Sequence, residues 1–282
     1  MIKIKSVKYF NEIRLGSSLP LVVGGDDNTK YVVKLNGSGD GVIANATEWI
    51  AIKLGRLLGI PVLEPTILEI APGSMEKVQD PEIMELIDKS SGLNFGTRYL
   101  EGAVVYDENS GLNFSEKLKD NIFLYDLFLL NIDRTAKNPD IICRNHQLLC
   151  LDFAASITVR SSIDGKDYHD LVFLPHMKQH PFYRDNVCVN EFISRLKKVR
   201  DKNIYDVMES IPGMWLREIV PERKSSELRV LMGDRLIEKR NQADSLTCRI
   251  EILEELPTET EAERRSTALK NRNAFKKKIG LC

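Results

Sequence analysis

The sequence predicts an α+β protein of two lobes, the first mainly β and the second helical. Three observations carry that prediction. Up to Glu101, short runs of β-branched and aromatic residues alternate with polar ones and are punctuated by Gly, Asn, Asp and Pro. From Ser115 onward the apolar residues recur at helical spacing instead. A chain of 282 residues is also long enough for one large domain or two lobes with an ample core.

Composition narrows the class of function. Hydrophobic content is 43% and the formal net charge −1, which implies neither disorder nor a whole-surface attraction to nucleic acid. The opening residues MIKIKSVKYF alternate apolar and basic like a strand and lack the apolar stretch of a signal peptide. The longest apolar run, Ile122 to Ile132, is broken by Asp126 and is too short to span a bilayer, so a soluble chain with no membrane contact is expected. The five cysteines, Cys143, Cys150, Cys188, Cys248 and Cys282, are scattered, odd in number and without Cys-x-x-Cys spacing. They fit reduced thiols in a cytoplasm better than a disulfide framework or a zinc site.

Lys3 to Phe10 has the pattern of a first strand, and Leu19–Val23 with Lys30–Leu35 that of a hairpin turning at Gly24–Asn28. Lys34 stands among strand formers in the second arm. Ile43 to Leu58 has helical spacing and stops at Gly59 before Pro61. On its wheel Glu48 falls beside Ala51 and Gly55, small residues that let the helix approach a sheet closely and bring Glu48 within reach of a strand lysine. A strand over Val62–Ile70, a short helix over Asp80–Lys89 begun by Pro81, and a strand over Asn94–Glu101 follow. The run Gly37–Gly41, glycine-rich but after the lysine strand, is expected to be a flexible link to the Glu48 helix.

In the second lobe, Ser115 to Leu130 is apolar on nearly every side and is expected to be a central buried helix, with Asp126 bonded to a neighbouring loop. Ile141–Cys143 and Leu148–Leu151 form a hairpin about Asn145-His146, and Cys143 and Cys150 on its arms are packing residues. Beyond Ser156 a loop is expected through Gly165, then helices over Asn190–Val199, Ile204–Ser210 and Ser226–Gln242. His176 and His180 are four apart, but flanking prolines and the want of a third ligand argue against a metal site. The tail from Glu259 to Lys278 is charged, acidic first and then basic. It suits a solvated helix or a segment that binds phosphate or a partner, and is the one place where contact with nucleic acid is conceivable.

The chemistry concentrates in Leu130 to Ser156. Because the hairpin doubles back, the loop before it and the residue after it come side by side, so Asp133, Asn138 and Asp152 converge with the hard oxygen donors Mg²⁺ prefers. Asp-x-x-x-x-Asn is also the catalytic-loop spacing of protein kinases, with an Asp-Phe at about the distance of the second metal ligand. On its own such a triplet is common in ordinary loops.

With Lys34, Glu48, Asp133, Asn138 and Asp152 in this order, the chain resembles the HipA-like kinases, bacterial relatives of the protein-kinase and phosphatidylinositol-kinase fold. The likeness extends to Tyr31-Val32-Val33-Lys34, Leu54–Pro61, Asn131-x-Asp133-Arg134, Leu151-Asp152-Phe153-Ala154 and Ile211-Pro212-Gly213-Met214-Trp215, and spans about residues 10 to 245. It implies a protein-kinase-like fold with a mainly β lobe over 1–102, a helical lobe over 103–258 and a charged tail over 259–282, with ATP in the cleft. In that family's pattern Lys34 contacts the α- and β-phosphates and pairs with Glu48. Asp133 accepts the proton of the attacking hydroxyl, and Asn138 and Asp152 bind Mg²⁺. The hinge Thr97–Gly102, with Tyr99, Leu100 and Glu101 at its centre, offers backbone groups to adenine.

This chain departs from protein kinases in having Asn131-Ile132-Asp133 for His-Arg-Asp and Ala154 for the glycine after Asp-Phe. No Gly-x-Gly-x-x-Gly precedes Lys34; Gly16, Ser17 and Ser18 lie where the phosphate-covering loop belongs, and their amides and hydroxyls suit phosphate oxygens. The implied activity is transfer of the γ-phosphate of ATP to a Ser/Thr hydroxyl of an unidentified protein, with Ser17 or Ser18 as sites of autophosphorylation. A small-molecule or lipid kinase, an AMP transferase using the same site, or a non-catalytic nucleotide- or partner-binding module are the alternatives.

Overall fold

The computed structural model describes residues 3–14, 18–71 and 78–257. Five strands, β1 (Lys3–Glu12), β2 (Leu21–Gly25), β3 (Lys30–Lys34), β4 (Pro65–Ile70) and β5 (Gly92–Arg98), close into a barrel in the order β1-β2-β3-β5-β4. All pairs are antiparallel except β1 with β4. Two register shifts in β1 supply the bend that closure needs. The strand expected from Val62 starts only at Pro65, because Val62 makes an isolated bridge to Cys150 in the helical half.

Alternation along β3 decides what faces where. Tyr31 and Val33 turn into the barrel core with Leu21, Val23 and Leu68, leaving Val32 and Lys34 on the opposite face. Helix α2 (Pro81–Lys89), capped by Asp80, plugs the barrel with Ile83 and Ile87. Helix α1 (Gly41–Leu57) packs on the other face against β4 and β5 and belongs to the larger core shared with the helices.

That core centres on α3 (Glu116–Leu129), buried at every residue from Ile122 onward and capped by Ser115. Its Tyr125 hydroxyl donates to the carbonyl of Ala51. A Cβ at Gly55 would stand 3.2 Å from the Tyr125 ring. The small residues of α1 therefore admit Tyr125 of α3, where a sheet was expected.

A three-stranded sheet follows: β6 (Val104–Val105), β7 (Ile141–Arg144) and β8 (Gln147–Cys150), of which β7 and β8 are the expected hairpin. The expected loop after Ser156 is instead a helix, α4 (Ile157–Asp164). Its Thr, Val, Ile and Ser residues are poor helix formers, but Val159 and Ile163, four apart, are buried among the helices, and tertiary packing overrides propensity. Helices α5 (Leu174–Met177), α6 (Asn190–Lys197), α7 (Asp201–Glu209), α8 (Gly213–Ile219), α9 (Ser225–Asn241) and α10 (Ser245–Glu255) complete the fold. Neither α8 nor α10 was expected. The first hides in a Pro-Gly segment, and its Trp215 indole donates to Leu93 O at 2.7 Å, tying the helices to β5. The second shows as Leu246, Ile250 and Leu253, buried at helical spacing. Among the described residues no helix is long and apolar enough to cross a membrane. The charged tail from Glu259 and Cys282 lie outside the described residues.

One polar cluster is sealed inside. Asp126 of α3 takes the Arg134 Nε–H at 2.5 Å and the Asn131 amide at 3.0 Å, with His180 Nε2 at 3.1 Å. Burial opposes the charge on Asp126, but Arg134 and His180 outweigh it and hold the carboxyl below its usual range. Removing one partner of such a pair strands the other in a dry core. Arg134→Ala is therefore expected to lower the unfolding free energy by about 3–5 kcal/mol, measurable by urea denaturation.

Candidate active site

A cavity of about 820 Å³ opens between the barrel and the helices. Lys34, at the end of β3, points out of the barrel into it, with Nζ 2.9 Å from Asp152 Oδ1 and 3.4 Å from Glu48 Oε1. Glu48, midway along α1, is 2% exposed and takes the Phe153 backbone N–H on its other oxygen at 2.6 Å. Burial alone would lower the Lys34 pKa, but the charges of Glu48 and Asp152 outweigh it, raise the pKa and keep the ammonium protonated. Burial likewise works against Asp152, yet the Lys34 charge and hydrogen bond hold its carboxyl below the usual range. Phe153 is wholly buried, edge-on to Tyr125 and beneath the Arg134 guanidinium, which sits 4.8 Å from its ring centroid.

The loop between α3 and β7 is wound around Arg134. Its NH1 donates to the carbonyls of Pro139 and Asp140 at 3.1 and 2.6 Å, while Asp126 anchors its Nε. This holds Asp133, Asn138 and Asp140 along the cavity wall that Asp152 shares. Partial burial and the charge of Asp152 raise the Asp133 carboxyl above its usual range, against the opposing pull of His176 and Arg160.

Asp140 did not figure among the sequence candidates. Its carboxyl is pushed up to about 7 by burial and then by Asp152, against the pull of Arg134 and Lys34. Asn138 donates its amide to Asp140 Oδ2 at 2.7 Å. The signal for Asp140 was present, since the doubling-back that brings Asp152 to the loop also bonds Leu151 N–H to Asp140 O at 2.7 Å. An Asn-Pro-Asp run passes for an ordinary turn, however.

On the opposite wall, Ser18 lines the cavity, and its carbonyl takes the Ser38 hydroxyl at 2.6 Å. Gly16 and Ser17 lie outside the described residues. The Gly37–Gly41 run is more than the expected link: Ser38, Gly39, Asp40 and Gly41 all line the cavity, because α1 begins at Gly41 with its N-terminus facing inward. The N-cap residue, Asp40, makes no side-chain hydrogen bond to that terminus and no acidic residue occupies its first turn; the partial positive charge of a helix start attracts an anion.

Tyr99, Leu100 and Glu101 do not line the cavity. The Tyr99 N–H extends the barrel by donating to Lys30 O at 2.8 Å, and Glu101 pairs with Lys30 Nζ at 2.5 Å. The apolar wall comes instead from Ile13, Leu35, Val105, Ile142 and Leu151. His176 and His180 share no site: His176 is exposed, and His180 is buried against Asp126. Burial raises the Cys143 thiol and pushes that of Cys150 up to about 12, which makes both poor nucleophiles.

Among the described residues no three His, Cys, Asp or Glu side chains are grouped to hold a metal ion by themselves. The oxygen donors nevertheless suit a hard divalent cation that draws its remaining ligands from elsewhere. Asp152 keeps 42% of its side chain open, and Asp140, raised first by burial and then by the charge of Asp152, adds a carboxyl whose charged form a cation would favour.

The family model described as HipA-like kinase matches residues 7–244. The chain belongs to the HipA-like kinase family. Among solved structures, the Helicobacter pylori proinflammatory kinase CtkA is similar at 12% identity and a TM-score of 0.49, covering 90% of this chain and all of its own. The Golgi casein kinase is similar at 11% identity and a TM-score of 0.42, covering 89% of this chain and 73% of its own. A form of the latter with Mn and ADP bound gives 12% identity and a TM-score of 0.39, over 86% and 73%. No curated protein sequence matched. The family's kinase-like fold accords with a strand-rich amino-terminal half, a helical carboxy-terminal half and a cavity between them.

The charge balance of this cavity gives a direct test. Without added cation the Asp140 carboxyl is expected to titrate near 7, and a divalent cation, favouring the charged form, moves the midpoint down. Carbon-detected NMR titration with and without Mg²⁺ measures it; a cation-free midpoint in the ordinary carboxylate range would contradict the crowding described.

Proposed function

We propose that the chain transfers the γ-phosphate of ATP, with Mg²⁺, to a Ser or Thr hydroxyl of a protein. The observation that carries this reading is Lys34 held at once by Glu48 and Asp152, on a cavity that Asp133 and Asn138 also line. Phosphoryl transfer asks little covalent chemistry of the protein and depends on position and charge neutralisation. The apolar wall suits the base of the nucleotide. Lys34 and the first turn of α1 suit its phosphates, and the oxygens of Asp152, Asn138 and Asp140 suit the cation. When bound, Mg²⁺ neutralises the charge of the phosphates.

In this reading Asp133 accepts the proton of the acceptor hydroxyl as its oxygen bonds to the γ-phosphorus. The bond from that phosphorus to the β,γ-bridging oxygen breaks, and its electron pair leaves with ADP. A raised Asp133 pKa brings the base nearer to neutral working pH, where general bases act best. Ser17 or Ser18 is a proposed site of self-modification, and a cytoplasm is the proposed setting.

Radiolabelled ATP incubated with candidate acceptor proteins tests the proposal. Asp133→Asn is expected to lower transfer by about 10²–10⁴-fold, and Asp152→Ala to remove it, with unfolding transitions showing both variants folded. Intact ATP after long incubation with the wild type would sink the reading. Product mass separates phosphoryl from adenylyl transfer, and a phosphopeptide map lacking Ser17 and Ser18 would remove the self-modification.

A further inference from the structure

Arg160 has entered so far only as a charge acting on Asp133, yet its guanidinium lies inside the site. It projects from α4, the helix that stands where a loop was expected, and lines the same cavity as Lys34, Asp133 and Asp152. Its Nε–H donates to the carbonyl of Ala154, two residues past Asp152, at 3.0 Å. Its NH2 reaches across the cavity to Asp40, the residue before α1. The guanidinium thus spans the wall that carries Asp152 and the wall formed by the start of α1. It is also close enough to Asp133 to favour that group's charged form.

The two partners hold it unequally. Arg160 keeps 23% of its side chain exposed, but Asp40 keeps 63%, and a pair with so solvated a carboxylate is readily given up. The Ala154 carbonyl is fixed backbone, so an arginine released by Asp40 stays anchored at Nε with its other donors turned to the cavity. Charge in the cavity creates the demand. Lys34 is already committed to Glu48 and Asp152, while Asp133, Asp140 and Asp152 are all anionic when ionised. A transferring phosphoryl group adds negative charge spread over its equatorial oxygens, which the planar fork of an arginine matches better than a lysine does.

We propose that Arg160 is a further catalytic residue, held by Asp40 until the phosphates of a nucleotide compete for it, and then bonded to the oxygens of the transferring γ-phosphoryl group. This rests on the phosphoryl transfer proposed above. Asp133 still takes the hydroxyl proton and ADP still departs with the bridging-oxygen electron pair. Arg160 gains no proton and loses none; it exchanges one anionic partner for another.

The test compares binding of ADP with binding of ADP plus aluminium fluoride, a mimic of the phosphoryl group in flight, both with Mg²⁺, by calorimetry. Arg160→Ala is expected to weaken the aluminium fluoride complex by more than about tenfold while changing ADP binding little, and to lower kcat by on the order of 10³ with KM for ATP nearly constant. Arg160→Lys, which keeps the charge and loses the fork, recovers part of the loss and serves if the alanine variant does not fold. Asp40→Asn strengthens the aluminium fluoride complex by releasing the guanidinium.

Equal weakening of both ligands by Arg160→Ala, or a loss in Asp40→Asn as large as in Arg160→Ala, would make the pair a structural clasp and overturn the inference alone. A wild-type chain that binds neither ligand would overturn the nucleotide reading, and this inference with it.

Discussion

A carboxylate buried at 2% exposure does not stand in a folded chain without partners, and Glu48 has two: an ammonium from one direction and a backbone N–H from the other. The ammonium belongs to the barrel, the carboxylate to a helix packed on it, and the N–H to the residue after Asp152. Satisfying one charge therefore fixes three segments far apart in sequence, and the geometry of the cavity follows from it. Breaking either contact does more than loosen a surface pair, because it leaves an anion in surroundings that solvate it poorly. The same arrangement keeps Lys34 charged against the cost of its own burial.

The loops beside this centre hold conformations that side chains usually avoid. Leu130, Asp140 and Asp152 have φ of 49°, 46° and 50°, a region that suits glycine. Each marks a place where the chain must turn at once: out of α3, into β7, and away from β8. Such turns persist when their surroundings over-determine them. Here the surroundings are Arg134, which binds the two carbonyls at the end of its loop and is itself fixed by Asp126, and Phe153, buried between Tyr125 and that same arginine.

Much of the architecture was legible because it rests on period and punctuation. The strand-forming run of β3, the stop at Gly59 and Pro61, and the apolar run of α3 are local signals, and local signals survive folding. The meeting of Lys34 with Glu48 could be argued from one helical wheel, and that of the loop with Asp152 from one hairpin. Illegible were features decided by distant partners. Helix α4 owes its form to packing that its own residues do not announce. Strand β6 is two residues long, and Asp140 gains its unusual state from burial in the folded cavity wall and then from Asp152, neither of which its own neighbours in sequence announce. The position of the Gly37–Gly41 run misled for a related reason, since chain order relative to the lysine strand says nothing about which way the start of α1 faces.

The closure of the barrel also bears on how copies of the chain behave toward one another. Strands that end a sheet expose a ladder of unpaired amides and carbonyls, an invitation to pair with a neighbouring molecule that proteins commonly refuse with charges, prolines or short lengths. Here β1 meets β4 along Lys3–Lys5 and Ile67–Glu69, so the five-stranded sheet has no such rim. Its protection is topological and needs no gatekeeping side chains, which leaves the exposed positions of β1, Lys5 and Lys8 among them, open to change without the hazard of strand-to-strand assembly.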